Sequence, residues 1–162
     1  MKKIFSITII FFSCLGFSQK PIAKVLKELN RNSVPYISAE ALSQLKNPTI
    51  LDAREKAEFE ISHIKNAFFV GFDQFNLEKT TKILTDKNQK IVVYCSLGVR
   101  SERIGEKLLK AGYTNVYNLY GGIFDWKNQN FSVVDSNNIE TQNVHAFSKE
   151  WSKYLKKGNK IY

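Results

Sequence analysis

Between Ile91 and Ala111 the chain passes from Ile91-Val92-Val93-Tyr94 through Cys95-Ser96-Leu97-Gly98-Val99-Arg100 into Ser101-Glu102-Arg103-Ile104-Gly105-Glu106-Lys107-Leu108-Leu109-Lys110-Ala111. An unbroken apolar run with two β-branched valines suits a strand buried on both faces, as in a parallel sheet covered by helices. From Ser101 the pattern turns helical: Ile104, Leu108 and Ala111 share one face, and Gly112 stands where helices commonly end. Strand, cysteine loop and helix in that order place Cys95 at the carboxyl end of a strand, facing a helix amino terminus. Unpaired amides and the helix dipole favour negative charge there, which lowers a thiol pKa. Gly98 lets the loop curl its amides inward, and Arg100 adds a fixed positive charge. The expected chemistry is a thiolate nucleophile in an anion cradle.

A chain of 162 residues with 43% hydrophobic and 13% aromatic residues can bury a real core and is not a disordered chain. Lys2 and Lys3, the apolar run Ile4 to Phe17 and the small-x-small Gly16-Phe17-Ser18 read as a secretory signal over 1–18, cleaved after Ser18. Its loss would lower the formal charge from +9 to +7. The lysines are scattered and no nucleic-acid motif stands out, so the expectation is a solvated basic surface with no nucleic-acid partner. The apolar run is short for a membrane span. The chain is expected to be exported, periplasmic or extracellular, with lipid anchoring through Cys14 as the alternative against a poor Phe11-Phe12-Ser13 lipobox. Either way Cys95 is left without an internal disulfide partner, which favours a reactive cysteine over a structural one.

Along the chain, Ile22, Val25, Leu26 and Leu29 predict a short amphipathic helix within an N-terminal segment 19–35. Tyr36-Ile37 reads as a strand, Ser38 as the cap of a helix running to Leu45 or Lys46, and Thr49 to Asp52 as a buried strand. Asp52 and Arg54 then sit at a sheet's carboxyl edge, where open α/β sheets build their sites. Asp52 is either a buried acceptor for the cysteine loop or the cap of a turn; Arg54 is either a surface ion-pair residue or a charge near the cleft. A helix over Lys56 to Ser62, a strand over Ala67 to Val70, a helix over Asp73 to Leu84 and a last strand over Asn115 to Leu119 follow. Asn128 to Asn143 reads as loop, and Val144, Phe147, Trp151 and Leu155 predict a helix over 144–157, packed on the domain within an extension 131–162. His145 is a ligand only in principle, since no second histidine or cysteine stands at metal spacing; no metal or cofactor is expected.

Cysteine, four residues and arginine between a strand and a helix resemble the active-site loop of rhodanese-like sulfurtransferases. So do Leu51-Asp52-Ala53-Arg54-Glu55 with Glu58-Phe59, His63-Ile64-Lys65-Asn66-Ala67, and Leu119-Tyr120-Gly121-Gly122-Ile123-Phe124-Asp125-Trp126. The ordered set is more specific than any one motif. The resemblance implies a single three-layer α/β/α domain over 36–130 with a mostly parallel sheet of about five strands. It implies Cys95 as nucleophile and sulfur carrier, with Ser96, Leu97, Gly98, Val99 and Ser101 lining the anion loop. Arg100 would attract the donor or brace the loop through Asp52. His63 becomes a structural histidine in preference to a general base, and Trp126 core packing.

The expected activity is sulfur transfer by a monomer, from a small anionic donor such as thiosulfate through a Cys95 persulfide to a thiol, cyanide or protein acceptor. A carrier or docking module is the alternative from another class. A cysteine phosphatase has similar chemistry but places five residues between cysteine and arginine, against four here.

Overall fold

The structure, a computed structural model, describes residues 22–162. The expected signal, its cleavage after Ser18 and the Cys14 alternative lie outside the described residues. In chain order come α1 (Ile22–Leu29), β1 (Tyr36–Ile37), α2 (Ala39–Ser43), β2 (Thr49–Asp52), α3 (Lys56–Ile61), β3 (Phe68–Phe69) and α4 (Leu77–Ile83). They are followed by β4 (Ile91–Tyr94), α5 (Val99–Lys110), β5 (Val116–Leu119) and α6 (Gly122–Asn128). Past α6 lie β6 (Val133–Val134), β7 (Glu140–Thr141), β8 (Asn143–His145), a 3₁₀ turn (Trp151–Tyr154) and β9 (Asn159–Ile161).

The central sheet has the order β1-β5-β4-β2-β3, and all four pairings are parallel. This is the expected α/β architecture. Side chains alternate across a strand, so fully buried β4 divides the core in two. Val92 and Tyr94 pack with Ile50, Leu119, Ile123 and Phe124 on the face covered by α1, α2 and α6. Ile91 and Val93 pack with Leu51, Ile104 and Leu108 on the α5 face. Each such side chain contributes about 1.5–3 kcal/mol by burial, and an aspartate at Val93 would remove that contribution and bury a charge.

Local chemistry explains the element starts. Ser38 Oγ accepts the Ala41 amide at 3.1 Å and opens α2, and Asn76 Oδ1 accepts the Lys79 amide at 2.9 Å and opens α4. That cap starts α4 later than the expected Asp73. Helix α5 begins at Val99, two residues before the expected Ser101, because Gly98 with φ +115° serves as its left-handed N-cap.

The extension corrects two expectations. Segment 128–143 is not all loop: β6 and β7 pair antiparallel, and Val134 bridges His63. No helix spans 144–157. Val144 lies in β8, which pairs parallel with β9, and Trp151 opens a 3₁₀ turn. The long-range bonds Ala146 N to Ile161 O and Asn159 N to Gln142 O replace helical ones. The extension does pack on the domain: Val144, Ala146, Tyr154 and Leu155 enter the α6-side core. Asn128 holds it there, donating to Tyr154 O and accepting the Lys156 and Lys157 amides. No helix among the described residues is long and apolar enough to cross a membrane.

Candidate active site

Strand β4 ends against Cys95, the one free cysteine among the described residues, which is 2% exposed. Two features fix the peptide around it. Ile123 N donates to Cys95 O at 2.9 Å and Phe124 N to Ser96 O at 3.2 Å, so the start of α6 is bonded directly to the cysteine loop. This needs glycine at 122: with φ +57°, a Cβ there would collide with the Cys95 carbonyl oxygen and stand 2.7 Å from the Ser96 carbonyl. Gly121-Gly122 thus lets the backbone pass close against the cysteine loop.

The Gly98 amide donates to Cys95 Sγ at 3.1 Å. Its carbonyl accepts Asn30 Nδ2 at 2.9 Å and Asn118 Nδ2 at 2.8 Å, so residues from the α1 end and β5 hold the loop's apex. Ser101 Oγ lies 3.5 Å from Sγ and 2.7 Å from Asn118 Oδ1. Its single proton goes to the nearer oxygen, which leaves backbone amides as the better donors to sulfur. Burial would push the Cys95 thiol up, but the Arg100 charge and the Ser101 and Gly98 amides together hold it below its ordinary value.

Arg100 binds Glu58 in a fork, Nη1 to Oε2 at 2.7 Å and Nη2 to Oε1 at 2.8 Å, and Nη2 also donates to Ser96 Oγ at 3.0 Å. Ser96 Oγ in turn donates to Glu58 Oε1 at 3.0 Å. Burial would raise the Glu58 carboxyl, yet Arg100 holds it below the usual range. Glu58 also accepts the Glu55 amide at 2.9 Å and so fixes the start of α3. The other side of the guanidinium lies 4.8 Å from the centre of the Phe147 ring.

Of the two roles expected for Asp52, the cap of the following turn is the one seen: it does not reach the cysteine loop and does not brace Arg100. Its carboxylate accepts Arg54 N and Nε, each at 3.0 Å to Oδ1, Arg54 Nη2 at 2.7 Å and Tyr94 Oη at 2.6 Å, both to Oδ2. Arg54 is neither a surface residue nor a cleft charge: it is fully buried, and Nη2 also donates to Ser62 O at 2.6 Å. Burial alone would lower its pKa, and Asp52 reverses that. His63 stacks on Phe59 at 3.9 Å with Nδ1 3.1 Å from Phe59 O, a structural setting. Trp126 packs on Phe131 at 4.5 Å and donates to Ser132 O at 2.8 Å. His145 accepts the Phe147 amide on Nδ1 at 3.1 Å.

Over Cys95 opens a cavity of about 150 Å³, walled by Leu29, Leu97, Val99, Phe147 and Trp151 with Arg100 and Ser96 at its edge. Sequence reasoning put Cys95 to Ser101 together correctly. It missed Glu58 as the partner of Arg100, Asn30 and Asn118 as holders of Gly98, and Phe147 and Trp151 as walls. Asn118 had a signal, a polar residue inside the apolar strand Val116-Tyr117-Asn118-Leu119.

The family model of the rhodanese-like domain matches residues 38–129, more than half of the chain. The chain belongs to the rhodanese-like domain family. Among curated relatives, this rhodanese-like protein is 38% identical over 97 residues to a tRNA uridine(34) hydroxylase of Photorhabdus laumondii, covering 56% of this chain and 28% of the relative. It is 34% identical over 107 residues to the enzyme of the same name from Aster yellows witches'-broom phytoplasma, covering 61% and 34%. The matched part is thus about a quarter to a third of those relatives. Among solved structures, a rhodanese-related protein from Thermoplasma volcanium matches with TM-score 0.54 and 32% identity, over 62% of this chain and 97% of that one. A thiosulfate sulfurtransferase from Pseudomonas aeruginosa matches with TM-score 0.60 over 81% of this chain and 25% of that one; at 22% identity it speaks to the fold alone.

Proposed function

We propose that this rhodanese-like protein is a sulfurtransferase that carries sulfane sulfur on Cys95. The observation that supports this most is the setting of Sγ: it is buried at the amino end of α5, bonded by the Gly98 amide at 3.1 Å, and held below its ordinary pKa. In the loading step the thiolate attacks the outer sulfur of a donor. A bond forms from Sγ to that sulfur, the donor's sulfur–sulfur bond breaks, and the leaving group departs with the electron pair, as sulfite when the donor is thiosulfate. The α5 amides stabilise the persulfide anion where its charge appears. A thiol or cyanide then attacks the outer sulfur and releases the Cys95 thiolate. Arg100, with Glu58, holds the loop in register. Purified protein incubated with a sulfane-sulfur donor gains one sulfur atom by mass spectrometry, cyanide removes it, and Cys95→Ser never acquires it. A protein that gains no sulfur from any donor overturns this reading.

A second reading draws on the curated relatives, whose name gives tRNA as their substrate. An exported protein does not meet tRNA, and we propose export with cleavage near Ser18 on the strength of Lys2-Lys3, the apolar run and Gly16-Phe17-Ser18. Amino-terminal sequencing of the native protein separates the two: a retained Met1 removes the export argument and makes a tRNA assay the next test.

A further inference from the structure

We infer that the Cys95 pocket takes its sulfur from an organic persulfide with an apolar stem about the size of a benzene ring, in preference to thiosulfate, and that Phe147 enforces the choice. This rests on the sulfur-transfer reading and names the donor for the same site.

Three observations carry it. The first is the wall: Leu29, Leu97, Val99, Phe147 and Trp151 line a solvent-open cavity of about 150 Å³ beside Cys95, with Leu29 and Phe147 exposed at its mouth. An apolar cavity of that size, about 150 Å³, is enough to hold benzene. A thiosulfate dianion gains nothing from these apolar side chains and loses the part of its hydration that they displace, whereas an apolar stem is favoured by the same contact. The second is the state of the nearby cation. Arg100 is bound in a fork by Glu58, capped by Ser96 Oγ and faced by the Phe147 ring. The Arg100 charge is felt at Sγ, but its donors are taken by Glu58 and Ser96, so a dianion finds no free fork to bind.

The third is the backbone of Phe147. It sits at φ +65°, and Ser148 N donates to Ala146 O at 2.8 Å, which closes a γ-turn around it. A bulky aromatic residue seldom adopts that backbone, and such strain persists where surrounding structure imposes it. Here the β8–β9 pairing and the His145 Nδ1 acceptor of its amide impose it, and the result is a ring at once over Arg100 and at the cavity wall.

The step balances without any further reagent. The Cys95 thiolate attacks the outer sulfur of R–S–SH, Sγ forms a bond to it, the donor's S–S bond breaks, and RS⁻ leaves with the electron pair. The proton stays on the transferred sulfur, giving Cys95–S–SH. The stem R stays against Phe147 and Trp151 as the leaving thiolate forms.

The test uses the full chain and three probes: benzyl persulfide, methyl persulfide and thiosulfate. Loading of Cys95 is followed by quenched mass spectrometry, and each rate constant is divided by that of the same donor with a free cysteine peptide, which removes intrinsic reactivity. The expected order is benzyl over methyl by about tenfold or more, from burial of the ring, and methyl over thiosulfate. Phe147→Gly keeps the turn, since glycine accepts positive φ, and brings the benzyl-to-methyl ratio down toward one through a higher KM. Thiosulfate loading as fast as benzyl persulfide, or a wild-type benzyl-to-methyl ratio near one, overturns the inference and leaves sulfur transfer standing. No loading from any of the three overturns sulfur transfer itself, and the inference with it. The wild-type series decides the matter even if Phe147→Gly does not fold.

Discussion

Arg54–Asp52 and Arg100–Glu58 are the same chemical pair in two settings, each with a closest approach of 2.7 Å. The first has both side chains at 0% exposure and sends its remaining bonds to Tyr94 Oη and Ser62 O, tying the ends of β2 and β4 to the chain entering β3. The second, at 15% and 4%, ties α3 to the cysteine loop and turns its outer face to the cavity and Phe147. Burial without access makes a pair structural. The same pair at a cavity edge also sets which charges a ligand meets.

Removing one partner of a fully buried pair leaves an uncompensated charge, so Arg54→Ala should cost about 3–5 kcal/mol of stability. Urea unfolding with an unchanged slope checks this. A loss under about 1 kcal/mol would mean the buried pair contributes no more than a surface pair.

Arg100→Ala should cost less stability, about 2–3 kcal/mol given its partial exposure, and should also move the thiol. Without its charge, burial dominates and the Cys95 pKa rises. Thiol titration against wild type reads the shift, and an unchanged titration would assign the lowered pKa to the α5 amides alone.

Glu58→Gln frees the guanidinium while keeping a hydrogen-bond acceptor. Sulfur loading from thiosulfate should then gain on loading from benzyl persulfide by a factor of several, because the dianion finds an unpaired cation. A ratio that does not move would show that the Glu58 charge does not govern which donor is accepted.

The pH dependence is the smallest effect. Glu58 has its carboxyl held below the ordinary value of about 4.3, so its pairing stabilises the fold fully above that value and loses its contribution as pH falls through the lowered one. Wild-type stability should therefore decline on acidification below about pH 4. In Arg100→Ala burial raises the Glu58 carboxyl above its unfolded value, so its contribution reverses sign and stability should rise, not fall, as pH drops through that raised value.

The sheet and the cysteine loop were legible because their signals are local. Ile91 to Tyr94 read as buried on both faces, and the residues after Cys95 as the connection from that strand to a helix. What spacing could not supply was partner identity over long separations. Glu58 is 42 residues from Arg100, and nothing in the pattern distinguishes it from Asp52 as the arginine's carboxylate. The extension misled for a related reason. Val144, Phe147, Trp151 and Leu155 fall at helical intervals, but β9, from Asn159 on, draws Val144 into a parallel pair, and Phe147 after it stands at positive φ. Those competing bonds lie too far along the chain for a periodicity to register.

The claim beneath all of this is that Cys95 at the head of α5 accepts and holds sulfur, and the mass of the intact protein after exposure to an organic persulfide tests it most directly. Wild type should gain one sulfur atom, lose it to cyanide, and load faster as pH rises through a thiol pKa below the ordinary value of about 8.5, while Cys95→Ser gains none. A wild-type mass that does not change with any donor, or an equal gain by Cys95→Ser, would contradict it.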